Sequence, residues 1–108
     1  MNFTAVVQKW FEDEWGGSLM LPDGWFGRPY DNQHLLSSIT ESGGVFTVIL
    51  DQNLVLRFKG LKFVRPGNRE LVFGPFDHLR FEWEPAEGGK RLTNVYQGGE
   101  VKIVSAPG

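Results

Sequence analysis

The chain has 108 residues and no cysteine, with 41% hydrophobic and 22% charged residues and a formal net charge of -2. These values fit one globular domain with its own core. They exclude disulfides and cysteine-ligated zinc, and they disfavour nucleic-acid binding driven by overall charge. The first residues, MNFTAVVQKWFEDEW, lack the basic start and small-residue cleavage site of a signal peptide. The apolar runs, such as Val48-Ile49-Leu50, are too short to span a bilayer. The expectation is a cytoplasmic protein without a membrane segment.

In chain order, Phe3, Val6, Val7, Trp10 and Phe11 fall on one helical face, with Gln8, Lys9, Glu12 and Asp13 on the other. This spacing predicts an amphipathic helix capped by Asn2 or Thr4 and ended by Gly16-Gly17. Trp10, Phe11 and Trp15 read as core contacts. Leu19-Met20-Leu21 reads as a short strand closed by the turn Pro22-Asp23-Gly24. Residues 35–42 and 45–50 flank Gly43-Gly44 as a hairpin, and Asp51-Gln52-Asn53 forms the next turn. Leu71-Val72-Phe73, the alternating Leu79, Phe81 and Trp83, and the pair Val101 and Ile103 read as further strands. Residues 86–91 read as a polar loop. Strands joined by short turns predict a mainly antiparallel α+β fold of about six strands, forming a small barrel or a strongly curled sheet behind the helix.

The segment Leu54–Arg65, LVLRFKGLKFVR, reads as one long strand with a bulge at Gly60. That bulge would turn Leu56, Phe58, Leu61 and Phe63 inward and Arg57, Lys59 and Lys62 outward. With Arg65 and Arg69 these cations form a basic patch, since no acid lies between Asp51 and Glu70. The patch reads either as a phosphate or acidic-partner surface or as an ordinary solvated strand face balanced by Glu82 and Glu84. The second reading is favoured.

The most unusual stretch is PDGWFGRPYDNQH, residues 22–34. It gathers Trp25, Phe26 and Tyr30 among glycines and Pro29, with Arg28, Asp31, Asn32 and His34. Tryptophan, tyrosine and arginine dominate binding hot spots, so Trp25, Arg28, Tyr30, Asp31 and His34 are the candidate binding residues. The competing reading is a lid that seals the core with Trp25 and Tyr30. The extended segment LPDGWFGRPYDNQH, residues 21–34, resembles a stretch in small uncharacterised bacterial proteins of about this length. The likeness extends loosely through the following hairpin towards VYQGGEVKIV, residues 95–104. That resemblance implies a bacterial, intracellular, single-domain protein and carries no activity, cofactor or catalytic residue.

Each histidine has a nearby aspartate, Asp31 before His34 and Asp77 before His78. Neither spacing is diagnostic of acid–base or metal chemistry, and adjacent Asp77 and His78 on a strand would point to opposite faces. No serine-elbow or phosphate-loop motif occurs. No cofactor, metal or catalytic residue is assigned. The expected function is a binding or accessory module acting through loop 22–34 on a protein partner or on a second copy of the chain. A ligand-binding or enzymatic barrel using His34 and Asp31 is the first alternative. A single-stranded nucleic-acid binder using the basic patch is the second.

Overall fold

The computed structural model describes residues 2–27, 33–85 and 89–105. Helix α1 (Phe3–Glu14) is capped by Asn2, whose Oδ1 accepts a hydrogen bond from the Ala5 N–H at 3.2 Å. Its buried residues Val7, Trp10 and Phe11 belong to the apolar face that the spacing defines. The helix ends on Trp15, before the two glycines. Trp15 takes the left-handed conformation with φ 66 and donates its N–H to the Phe11 carbonyl. That reversal swings the indole off the apolar stripe, so Trp15 is 76% exposed. The reading of Trp15 as a core residue is therefore corrected.

Ten strands follow among the described residues: β1 (Ser18–Leu21), β2 (Gly24–Phe26), β3 (Leu36–Ser42), β4 (Val45–Leu50), β5 (Leu54–Lys59), β6 (Val64–Pro66), β7 (Glu70–Phe73), β8 (His78–Trp83), β9 (Leu92–Tyr96) and β10 (Val101–Val104). They form two open five-stranded sheets, ordered β2-β1-β10-β7-β6 and β3-β4-β5-β8-β9. Adjacent strands pair antiparallel in both. The expectation of about six strands closing into a barrel is thus corrected to two sheets that share one core. Alternation along each strand supplies that core. Phe46, Val48, Leu50, Leu56, Phe58, Leu79 and Phe81 come from the second sheet, and Leu19, Val64, Leu71, Phe73 and Ile103 from the first. The rings of Phe58 and Phe73 stack across the layer at 5.2 Å.

One of the crossings between the two sheets begins at Gly60. Gly60 has φ +67, in the region that favours glycine, and it ends the β5–β8 pairing at Lys59. The chain then crosses to the other sheet. Lys62 N–H donates to the Pro75 carbonyl, Gly74 N–H donates to the Phe63 carbonyl, and Val64 pairs with Phe73. No single bulged strand spans 54–65. Val64 is buried, whereas Phe63, expected to face inward, is half exposed at 52%.

Helix α1 packs against β6 and β3, one edge strand from each sheet, and so closes one side of the sandwich. On the other side, the Tyr96 hydroxyl of β9 donates to Asp23 Oδ1 at 3.0 Å, tying the second sheet to the β1–β2 turn of the first. Burial, and then the Asp23 carboxylate, push the Tyr96 phenol above its usual range.

Between α1 and β1 the backbone has no room for a side chain. Gly16 has φ +109, and a Cβ there would lie 2.2 Å from the His34 carbonyl oxygen. Gly16→Ala is expected to cost at least about 3 kcal/mol through combined backbone strain and displacement of residue 34. Denaturant unfolding of the variant beside the parent protein measures it, and a loss under about 1 kcal/mol would show that the contact relaxes freely.

Candidate functional site

The turn between β4 and β5 organises the region around the end of loop 22–34. Asp51 and Gln52 both have positive φ, 55 and 65, as a two-residue reversal with right-handed strand twist requires. This conformation places the Asp51 carboxylate against residues 34 and 35. Its Oδ2 accepts from His34 Nδ1 at 2.6 Å, and its Oδ1 accepts from the Leu35 N–H at 2.9 Å. The Asp51 N–H returns a bond to the Leu35 carbonyl at 2.9 Å, and Gln52 N–H donates to Ser37 Oγ. His34 is also held by its backbone, pairing with Gly17 in an isolated antiparallel bridge. Gln33 Nε2 donates to the Trp15 carbonyl at 3.1 Å. Helix α1, the entry to the first sheet and a turn of the second thus converge on residues 33–35.

His34 is 7% exposed, and its ring lies 6.0 Å from that of Phe26. Its Nδ1 faces Asp51, and its Nε2 is buried with no hydrogen-bond partner. Asp51, 17 residues downstream, supplies a carboxylate that orients His34. Asp31, Arg28 and Tyr30 lie outside the described residues. Trp25 sits on β2 opposite Met20, in the alternate phase to the buried Leu19 and Leu21. It is half-buried and faces away from the interior, so it does not seal the core. The residue that does so is Phe26, in edge contact with Phe81 and Trp83 at 5.1 and 5.3 Å.

Among the described residues of the region, the exposed aromatic is Trp15. It lines a shallow surface hollow with Phe11, Leu35 and Leu36, and Leu35 is itself 54% exposed. Neither residue was a candidate in the sequence. Trp15 continues the helical spacing of the core residues, and Leu35 opens a strand-like run. What exposes Trp15 is the left-handed cap.

The basic patch does not form one surface. Arg57 and Lys59 lie on the outer face of β5, Lys62 in the crossing between sheets, and Arg65 on β6 in the other sheet. Acids from elsewhere in the chain meet most of them: Glu82 with Arg57, Asp77 with Lys62 at 3.9 Å, and Glu100 with Arg65 at 2.7 Å. Arg69 takes φ 65, and its carbonyl accepts from Ser105. Two cations far along the sequence, Arg80 and Arg91, join Arg57 around Glu82, at 3.2 and 3.9 Å respectively. Burial opposes ionisation of Glu82, but the Arg80 hydrogen bond and the charges of Arg57 and Arg80 outweigh it. They hold the carboxyl below its usual range.

Among the described residues, no three His, Asp or Glu side chains gather into a metal-binding group, and no helix is long and apolar enough to cross a membrane. Scanned against family models, curated proteins and solved structures, the chain matches none of them.

Two outcomes follow from this geometry. Asp51→Ala removes the acceptor for both His34 and Leu35 and is expected to cost about 3 kcal/mol, while Asp51→Asn, which tolerates positive φ and keeps one acceptor, costs about half of that. Chemical denaturation of both variants checks the order. Because the folded state lowers the Glu82 carboxyl from 4.5, the stability it contributes is present above that value and is lost as pH falls through the lower folded value. Glu82→Gln should flatten the acid limb of the stability–pH profile, and a profile of unchanged slope would count against the arginine cluster as its cause.

Proposed function

We propose that this protein is a binding module that docks a protein partner on the corner formed by Trp15 and Leu35, at the base of loop 22–34. The observation that carries this reading is Trp15, a tryptophan left 76% exposed on a rigid support. Contiguous exposed apolar groups mark contact sites, Trp15 and Leu35 line one hollow together, and tryptophan is among the residues enriched at interface hot spots. The support is stiff: Gln33 holds the Trp15 carbonyl, and Asp51 holds Leu35 at both its backbone groups. A pre-ordered contact surface loses little freedom on binding. Leu35 supplies a second apolar anchor beside the indole.

The alternative acid–base role for His34 is less well supported. Its Nε2, the nitrogen that would have to meet a substrate, is enclosed. The imidazole is better suited to positioning residues 33–35. The nucleic-acid alternative loses its contiguous basic strand, since Lys62 and Arg65 leave the face that carries Arg57 and Lys59.

The test is capture from native lysate with tagged wild type beside a Trp15→Ala/Leu35→Ser variant. Both side chains are exposed, so the variant should keep its unfolding midpoint, within about 0.5 kcal/mol of stability. It should lose the partner by about 2 kcal/mol, roughly thirtyfold in affinity. Sedimentation of the wild type alone distinguishes a second copy from a different protein. A partner captured equally by both proteins would overturn the assignment of this corner.

A further inference from the structure

The register between β5 and β8 sets Arg57 directly opposite Arg80 and Lys59 directly opposite His78. Arg57, Lys59 and Arg80 point away from the core, in the alternate phase to the buried Leu56, Phe58, Leu79 and Phe81, while His78 is half-buried with its Nδ1 enclosed. Like charges in facing positions of an antiparallel pair, as Arg57 and Arg80 are, destabilise the sheet. A face shaped only by stability and solubility would mix its signs. The concentration is not a by-product of a basic chain, because acids outnumber Lys and Arg by 13 to 11. Glu82 answers this block at one end, opposite Val55, and at the other the Asp77 carboxylate lies over Gly60, next to Lys59. Arg57 and Arg80 both turn towards Glu82, while among the described residues Lys59 is given no acidic partner. Beyond Glu82, Arg91 approaches from the segment before β9, paired with Glu84 at 3.1 Å, and borders a hollow of about 560 Å³ with Arg57, Glu82, Trp83 and Glu84.

The flanks of this block are apolar or β-branched. Thr47 and Val45 of β4 lie opposite Arg57 and Lys59, and Val95 of β9, 49% exposed, lies opposite Arg80. Positions 45, 47, 57, 59, 80 and 95 carry no aromatic side chain, and Trp83, which lines the hollow, packs on Phe26 at 5.3 Å, so the face offers little of the successive stacking that single-stranded nucleic acid uses. Short apolar side chains beside a row of cations match a polypeptide carrying carboxylates instead.

We infer that the outer face of β4-β5-β8-β9 is a second docking surface, centred on Lys59 and Arg80, for an acidic segment of a partner protein. Its carboxylates would meet Lys59 and Arg80, and its apolar groups would lie on Val45 and Val95. This surface uses none of the residues of the Trp15–Leu35 corner and stands or falls independently of it.

The test is titration of labelled oligoglutamate and, separately, labelled oligothymidylate into the wild type and two doubly neutralised variants. Lys59→Gln/Arg80→Gln removes the centre of the face but leaves Arg57 on Glu82. Lys62→Gln/Arg65→Gln makes the same change in net charge elsewhere. The wild type is expected to bind oligoglutamate in preference to oligothymidylate, more weakly as salt rises. The first variant should lose about tenfold or more in affinity while the second keeps it. Amide chemical shifts of the wild type during the titration give a readout that needs no variant, and they should move in β5 and β8. Equal losses in both variants would reduce the effect to net charge and overturn the proposal. Preference for the oligonucleotide, shifts confined to other strands, or no binding of oligoglutamate at low salt would overturn it as well.

Discussion

The clamp between Asp51 and residues 34–35 is the constraint on which the arrangement of this protein depends. A carboxylate at the tip of the β4–β5 turn accepts from an imidazole and a backbone N–H at once. The same residue 34 is paired through its backbone to Gly17, at the start of the first sheet. Each bond is short-range, but together they join the end of α1, the first sheet and the second sheet at one point. Hydrogen bonds to an ionised group are stronger than neutral ones, and this one lies beside a buried ring where water competes poorly. The enclosed Nε2 of His34 is the cost, a buried polar atom left without a partner.

That junction also explains why the corner beside it is suited to contact. Trp15 and Leu35 project from the two segments the clamp holds, so their exposure does not come with backbone freedom. The Asp51-Gln52 turn borders a second region too. Gln52 lines the hollow that Arg57, Glu82 and Arg91 share. One reversal of chain therefore lies between the apolar corner and the cationic sheet face, and a partner large enough to cross it would touch both.

The two sheets are held by different devices at their two sides. On one side α1 lays its apolar stripe across edge strands β3 and β6. On the other, the polar contact between Tyr96 and Asp23 joins them, next to the aromatic cluster of Phe26, Phe81 and Trp83. Apolar burial supplies the bulk of the stabilisation, and the polar contacts fix which sheet edge meets which. Short edge strands, such as β2, β6 and β9, also limit pairing with other chains.

Local pattern was enough to place the helix, the β3–β4 hairpin at Gly43-Gly44, the turn at Asp51-Gln52-Asn53 and the alternation of β8. Helical spacing, paired glycines and period-two alternation are each properties of a few adjacent residues. The same reasoning failed wherever the outcome depended on a distant strand. Gly60 was legible as a break in a strand, but not as the point where the chain leaves one sheet for the other, because that depends on Val64 finding Phe73. The bond between Asp51 and His34 joins a turn to a loop 17 residues earlier, which no local spacing indicates. The facing of Arg57 with Arg80 is likewise a matter of register between strands 23 residues apart. By itself the sequence determined which residues turn, coil or extend and which side of each strand is apolar, since these follow from backbone sterics and burial of nearby side chains. Only the tertiary structure decided how many sheets form, which charges meet and which tryptophan stays in solvent, because those depend on pairing free energies summed over the whole chain.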